Sequence, residues 1–398
     1  MAKKLILASF YCLFASFLVC RAQTTIASIY VFGDSLVDVG NNNHLPLSLV
    51  KANFPYNGVD FSGNKATGRF SNGKNAADFL AERLGVSTPP PYLSQPNNTF
   101  VKGVSFASGG AGILNTTSDQ KSTISLPRQL GYFSTVSQRL SKEMGTKAAQ
   151  EHLSKSLFPF VIGSNDIINY FQSNSDIAKK YTPQQYVNLM VSNLREMLKG
   201  AHSLGARKFL FVGLTPIGCA PKQRYPSATN ECNNDVNEWS NKYNSELRQM
   251  LLELQSSELK DLHYSYFDTY NIFLDFIHNP STYGFNETKS ACCGLGMTLR
   301  RCLMDRPAKS DKTIVQMLEE IMRNYYIARL CIIFLIYTKL SQNKKRKRTQ
   351  LVLPYSQMDR VDLQVSHLNR LVGVTDTDCI VNLRMDRNAF GRLCSLCR

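Results

Sequence analysis

From residue 28 to about residue 270 the chain alternates short apolar runs with amphipathic stretches of helical length, and this alternation restricts the possible folds more than any other feature. The runs are 29–32, 101–107, 158–162, 209–212 and 263–267. Each is too short to cross a core as a helix, so each reads as a strand. Between them, 75–84 places Ala76, Phe79, Leu80 and Leu84 on one side, and 128–153 is a long amphipathic region. The stretch 186–204 follows the start signal Thr182-Pro183, and 236–254 is a further helix. Strands alternating with helices imply an α/β fold, a parallel sheet with helices on both faces.

The ends differ from this body. Lys3 and Lys4 precede an apolar stretch, 5–19, and a small-residue zone, 20–23. That order reads as a secretory signal peptide, 1–22, removed on export. The competing reading is a membrane anchor, but the stretch is short for a bilayer and nothing anchoring follows, so no stable membrane insertion is expected after cleavage. The chain is expected to be secreted, extracellular or in the cell wall. Sequons at Asn97, Asn115 and Asn286 agree with that route. Of 11 cysteines, Cys12 and Cys20 leave with the signal, and Cys219 and Cys232 flank a loop as a natural pair. The adjacent Cys292 and Cys293 need partners further along. The net charge of +16 lies mostly beyond Gly296, so a nucleic-acid partner would rest on that tail alone and none is expected.

Three of the apolar runs end in segments that can carry chemistry. The first leads into Gly33-Asp34-Ser35. A serine at the carboxyl end of a strand stands at the ligand edge of an open α/β sheet, although Ser and Asp also suit a helix N-cap. No G-x-S-x-G is present, so the usual nucleophile elbow is excluded. The second leads into Gly109, Gly110 and Gly112, a loop that exposes backbone N–H groups to an anion or forms a plain tight turn. Its spacing fits neither a Walker A loop nor G-x-G-x-x-G. The third leads into Gly163-Ser164-Asn165-Asp166, where the Asn165 amide can donate to an oxyanion or simply make a turn or an N-cap.

The set as a whole resembles the plant-type GDSL esterase/lipase family of the SGNH hydrolases. Tyr30-Val31-Phe32-Gly33-Asp34-Ser35-Leu36-Val37-Asp38-Val39-Gly40-Asn41-Asn42 is similar to its first block. Gly68-Arg69-Phe70-Ser71-Asn72-Gly73, Thr215-Pro216-Ile217-Gly218-Cys219, Asn279-Pro280 and Cys292-Cys293-Gly294 are similar to others. The resemblance covers about 28–296. It implies a three-layer α/β/α, flavodoxin-like fold with a five-stranded parallel sheet and a small-molecule or lipid ester as substrate, with no cofactor or metal. It implies Ser35 as nucleophile, with the N–H groups of Ser35 and Gly110 and the Asn165 side chain as oxyanion donors. Ser105 departs from the family's usual Asn and is expected to loosen the second loop.

One family feature is absent from its place. An Asp-x-x-His should follow Cys292-Cys293-Gly294, the His serving as base and the Asp orienting it. Beyond Gly296 the only histidine is His367, and Gln364 stands three residues before it. The sole Asp-x-x-His is Asp275–His278, ahead of Asn279-Pro280, where a helix end is expected; His44 also reads as structural. Residues 297–398 form a divergent basic tail, including the Lys344–Arg348 cluster, and the abrupt change points to an altered 3′ end of the message. These features imply a secreted serine esterase of impaired activity, or a non-catalytic relative that binds acyl or glycan ligands.

Overall fold

The structure, a computed structural model, describes residues 26–54, 57–95, 99–117, 122–224, 226–285 and 287–289. The expected signal segment, 1–22, the sequons at Asn97 and Asn286, Cys292, Cys293 and residues 297–398 lie outside the described residues.

Five strands build one parallel sheet: β1 Tyr30–Gly33, β2 Val104–Ser105, β3 Leu157–Val161, β4 Lys208–Val212 and β5 His263–Phe267, in the order β2-β1-β3-β4-β5. Seven helices of seven residues or more accompany it among the described residues: α1 Ala76–Leu84, α2 Leu126–Met144, α3 Thr146–Lys155, α4 Ser164–Tyr170, α5 Pro183–Ser203, α6 Asn234–Glu253 and α7 Thr269–His278, besides the four-residue helix Pro221–Arg224 and shorter turns. The sheet and its helices are the expected α/β/α arrangement.

Side chains alternate along β1 between two cores, as a period of two requires. Tyr30 and Phe32 enter the larger core with Phe158, Phe160, Phe209 and Phe211, and residues of α2, α3, α5 and α6 pack there. Phe32 stacks on Phe160 at a centroid distance of 4.7 Å. Ile29, Val31 and Val161 face the other way, onto Ala77, Leu80, Ala81 and Leu84 of α1. Fully burying each such aromatic or aliphatic side chain is worth about 1.5–3 kcal/mol.

Three elements differ from the sequence reading. The expected strand 101–107 is shortened to Val104–Ser105, because Phe100–Lys102 forms a 3₁₀ turn ahead of it. The backbone still tracks β1 beyond the strand: Phe106 N–H donates to Val31 at 2.8 Å and Ser108 N–H to Gly33 at 3.1 Å. The long region 128–153 is two helices, separated at Gly145, whose φ of 88° no helix accommodates. Helix α4 begins at the third segment, where the sequence offers a turn or an N-cap, and Gly163 takes the cap position.

Candidate active site

The strand order places β1 between β2 and β3: the chain runs from β1 out to β2 on one side and then crosses back to β3 on the other. This is the switch point at which open α/β sheets bind ligands, outside the carboxyl ends of the strands. Ser35 lies two residues beyond Gly33, which pairs with Val161; Gly163 lies two residues beyond Val161. The first and third segments therefore leave the sheet at the same level. The second joins them through Ser108, whose N–H reaches the Gly33 carbonyl.

Gly33 is glycine because nothing larger fits. A Cβ there would lie 2.4 Å from the Val37 side chain and 2.6 Å from the Val161 carbonyl oxygen. Both of its backbone polar groups are held by Gln129 of α2, which is fully buried: Oε1 accepts from Gly33 N–H at 2.9 Å, and Nε2 donates to the Gly33 carbonyl at 2.8 Å. Ser35 is half-buried, and its neighbour Leu36 is 52% exposed. Among the described residues, neither the Ser35 hydroxyl nor its N–H takes part in a hydrogen bond.

The second segment is tied down at almost every polar group. Gly109 N–H donates to Asp38 Oδ2 at 3.0 Å, and the Gly109 carbonyl accepts from Asn42 Nδ2 at 2.9 Å. Asn41 Nδ2 donates to the carbonyls of Ser105 and Ala107, each at 2.8 Å. The backbone around Ser105 is thus held from Asn41, so a serine there does not leave the loop unanchored. Gly110 has φ +82°, the left-handed region that favours glycine, and its N–H carries no hydrogen bond among the described residues.

The third segment braces the second. Asn165 is half-buried, and its Nδ2 donates to the Ala111 carbonyl at 2.8 Å, leaving its second N–H available. Asp166, fully buried, accepts from Ile113 N–H at 2.9 Å, from Leu114 N–H at 3.2 Å and from the Thr117 hydroxyl. The fold therefore gathers Ser35, Gly110 and Asn165 along one edge, and two unbonded backbone N–H groups lie there beside a serine.

Three carboxyls are buried around this edge. Burial pushes Asp34 up to about 7, and Asp38 and Asp166 up to about 6, against the backbone N–H bonds that pull each of them down. Asp34 Oδ1 accepts from Leu36 N–H at 3.0 Å, whereas its Oδ2 has no partner.

Among the described residues, no histidine is hydrogen-bonded to Ser35. His44 is exposed at the end of the 3₁₀ turn Asn41–His44. His152 meets the Tyr30 hydroxyl at 3.1 Å, at the amino end of β1, and His202 pairs with Asp261 at 2.7 Å. His278 is exposed at the end of α7. Its Asp275 is occupied by Asn279 Nδ2 at 2.7 Å and by the Tyr283 hydroxyl. That pair therefore serves a helix end, as its place in the sequence suggests. Of the three sequons, Asn115 is described and exposed.

Sequence reasoning missed the side chains that hold the loops: Gln129, Asp38, Asn41, Asn42 and Asp166. One signal was available for some of them. Asp38, Asn41 and Asn42 crowd directly after a strand end, where Asx side chains bond backbone groups of neighbouring turns.

A family model described as GDSL-like Lipase/Acylhydrolase matches residues 29–321. The chain is 48% identical over 283 residues to the GDSL esterase/lipase At5g55050 of Arabidopsis thaliana, covering 68% of this chain and 74% of that protein. It is 42% identical over 280 residues to GDSL esterase/lipase At5g37690 of the same plant, covering 69% and 78%. With GDSL esterase/lipase At3g50400 it shares 39% over 284 residues, covering 68% and 75%.

Proposed function

This chain belongs to the GDSL-like lipase/acylhydrolase family, a family of ester hydrolases, and from that premise we propose that it cleaves small-molecule or lipid carboxylic esters through an acyl-serine on Ser35. The Ser35 Oγ attacks the ester carbonyl while its proton passes to a base, and the carbonyl oxygen becomes an oxyanion. The N–H groups of Ser35 and Gly110, with Asn165 Nδ2, receive that charge. The alcohol then leaves with a proton, and water releases the acid from Ser35. The observation that carries this reading is the pair of unbonded N–H groups, on Ser35 and Gly110, at the edge where three adjacent strands end.

The base is the weak point of this chain. Residues 297–398 offer no Asp-x-x-His, and the histidines of the described residues are engaged or exposed elsewhere. Turnover of the chain as written is therefore impaired in this reading. The same observation favours a second reading, a non-catalytic relative that binds acyl or glycan ligands at this edge. The basic-apolar-small order of residues 1–23 supports export, with the mature chain starting near Gln23.

A fluorophosphonate probe tests the nucleophile. In a form that carries a base, residues 1–296 joined to a family C-terminus with Asp-x-x-His, it should label the protein, and Ser35→Ala should abolish labelling; undiminished labelling of that variant would place the nucleophile elsewhere. In the same base-carrying form, Asn165→Ala should fold normally and lower turnover by roughly 10²–10³, as for a lost oxyanion donor.

A further inference from the structure

The Gly110 N–H belongs to the same peptide unit as the Gly109 carbonyl. A trans peptide is planar, so its C=O and N–H point in opposite directions, and holding one aims the other. The group that holds the Gly109 carbonyl is Asn42 Nδ2, at 2.9 Å.

Asn42 is built for that task. It is 1% exposed, and its side-chain amide is bonded at both ends. Nδ2 also donates to the Val50 carbonyl at 2.7 Å, and Oδ1 accepts from the Ser108 hydroxyl. Ser108 Oγ is itself fixed, accepting from Ile124 N–H at 2.9 Å. The amide can therefore neither flip nor swing away. Asn42 rides on the 3₁₀ turn Asn41–His44, anchored by Asp38, whose Oδ1 accepts from Gly40 and Asn41 N–H at 2.8 Å each. On the other face of Gly109 the Phe70 ring occupies the space a side chain would need, with Cζ 2.4 Å from the position of a Cβ. The Gly109–Gly110 peptide is thus held at its carbonyl by Asn42 and, through the Gly109 N–H, beside Asp38, while the Gly110 N–H has no hydrogen-bond partner among the described residues.

We propose that Asn42 is the positioning residue of the oxyanion site, acting through the Gly109 carbonyl to aim the Gly110 N–H. This rests on the reading of Ser35 and Gly110 given above. Asn42 itself never touches substrate. Its loss should slow the step in which negative charge develops and leave initial binding unaltered.

The test is saturation kinetics of fluorophosphonate labelling on residues 1–296 joined to a family C-terminus that carries Asp-x-x-His, which supplies the base the chain as written lacks, with melting temperatures measured alongside. Asn42→Ala should lower the maximal labelling rate about tenfold or more, with the probe concentration for half-maximal rate unchanged. Asn244→Ala is the control. It removes the same kind of amide clamp, Asn244 Oδ1 from Leu214 N–H at 2.7 Å and Nδ2 to the Leu214 carbonyl at 2.9 Å. It should lower the melting temperature and keep the wild-type labelling rate. Should Asn42→Ala fail to fold, Ser108→Ala unlocks the amide in place, and a several-fold loss of maximal rate is expected. Wild-type kinetics in a folded Asn42→Ala or in Ser108→Ala, or an equal loss in Asn244→Ala, would overturn the inference alone. Absence of Ser35 labelling in that base-carrying form would sink the reading of the site and this inference with it.

Discussion

Asp34 stands between the glycine that turns the chain out of β1 and the serine that follows, 1% exposed and with one carboxyl oxygen unpartnered. Burial raises its pKa from an ordinary 3.8 to about 7, and the nearby carboxyls of Asp166 and Asp38 push in the same direction. An acid whose pKa rises on folding binds its proton more tightly in the native state, so stability falls as pH increases across the window between the two values. The contribution is complete below about 4 and lost above about 7. Paired surface carboxylates such as Glu258 and Asp261, whose pKa values are lowered, work in the opposite sense, so the effect is best read as a difference. Asp34→Asn cannot ionise. Its stability relative to wild type should improve between pH 4.5 and pH 8 by on the order of a few kcal/mol, measured by urea unfolding. A constant difference across that range would show that Asp34 titrates normally. The roles of single residues were only half legible in the sequence. Ser35, Gly110 and Asn165 have the right chemistry at strand ends, which needs no coordinates to see. Asp38 and Asn42 act on Gly109, about seventy residues away, and no spacing in the chain encodes that contact.

Elements with a strong period were legible, and those shaped by a single backbone contact were not. Strands β3, β4 and β5 are dense apolar or aromatic runs and sit within a residue or two of where the pattern puts them. Strand β2 is short because it lies at the edge of the sheet with one strand neighbour, β1, and a 3₁₀ turn before it. The Cys219–Cys232 pair was readable from its flanking positions and is formed. What the sequence did not reveal is a second brace inside the same loop. Arg224, 1% exposed, donates from Nε to the Cys219 carbonyl at 2.7 Å and from Nη1 to the Asn230 carbonyl at 3.1 Å. A disulfide closing a loop of this length is worth roughly 3 kcal/mol through the unfolded chain. A Cys219→Ser, Cys232→Ser double variant should therefore lose about 2–4 kcal/mol in urea unfolding while keeping the fold, because Arg224 still ties the loop ends. Collapse of the native state on reduction would mean that Arg224 gives no independent support.

At the scale of the molecule the alternation of strand and helix was enough to read the sheet, and the sheet brings the three segments to one edge. The fourth family segment is a matter of residues 297–398, where the only histidine, His367, has Gln364 in place of the aspartate. A serine hydroxyl without its base is a weak nucleophile near neutral pH. Loss of a triad base costs on the order of 10⁶ in turnover, and oxyanion stabilisation with binding leaves roughly 10³–10⁴ over water. Two proteins decide whether that arithmetic applies here, both expressed with residues 1–22 and collected from the medium. One is the chain as written; the other joins residues 1–296 to a family C-terminus that carries Asp-x-x-His. Both should be recovered starting near Gln23, and a retained Met1 on an intracellular product would end the case for export. Hydrolysis of a short-chain p-nitrophenyl ester should be near background for the first and ordinary for the second. If the first is as fast as the second, a base exists among the histidines already present. His278→Ala is then the variant to make, with His44→Ala and His367→Ala after it. The one that silences the enzyme would show that the tail, for all its divergence, had not cost this chain its chemistry.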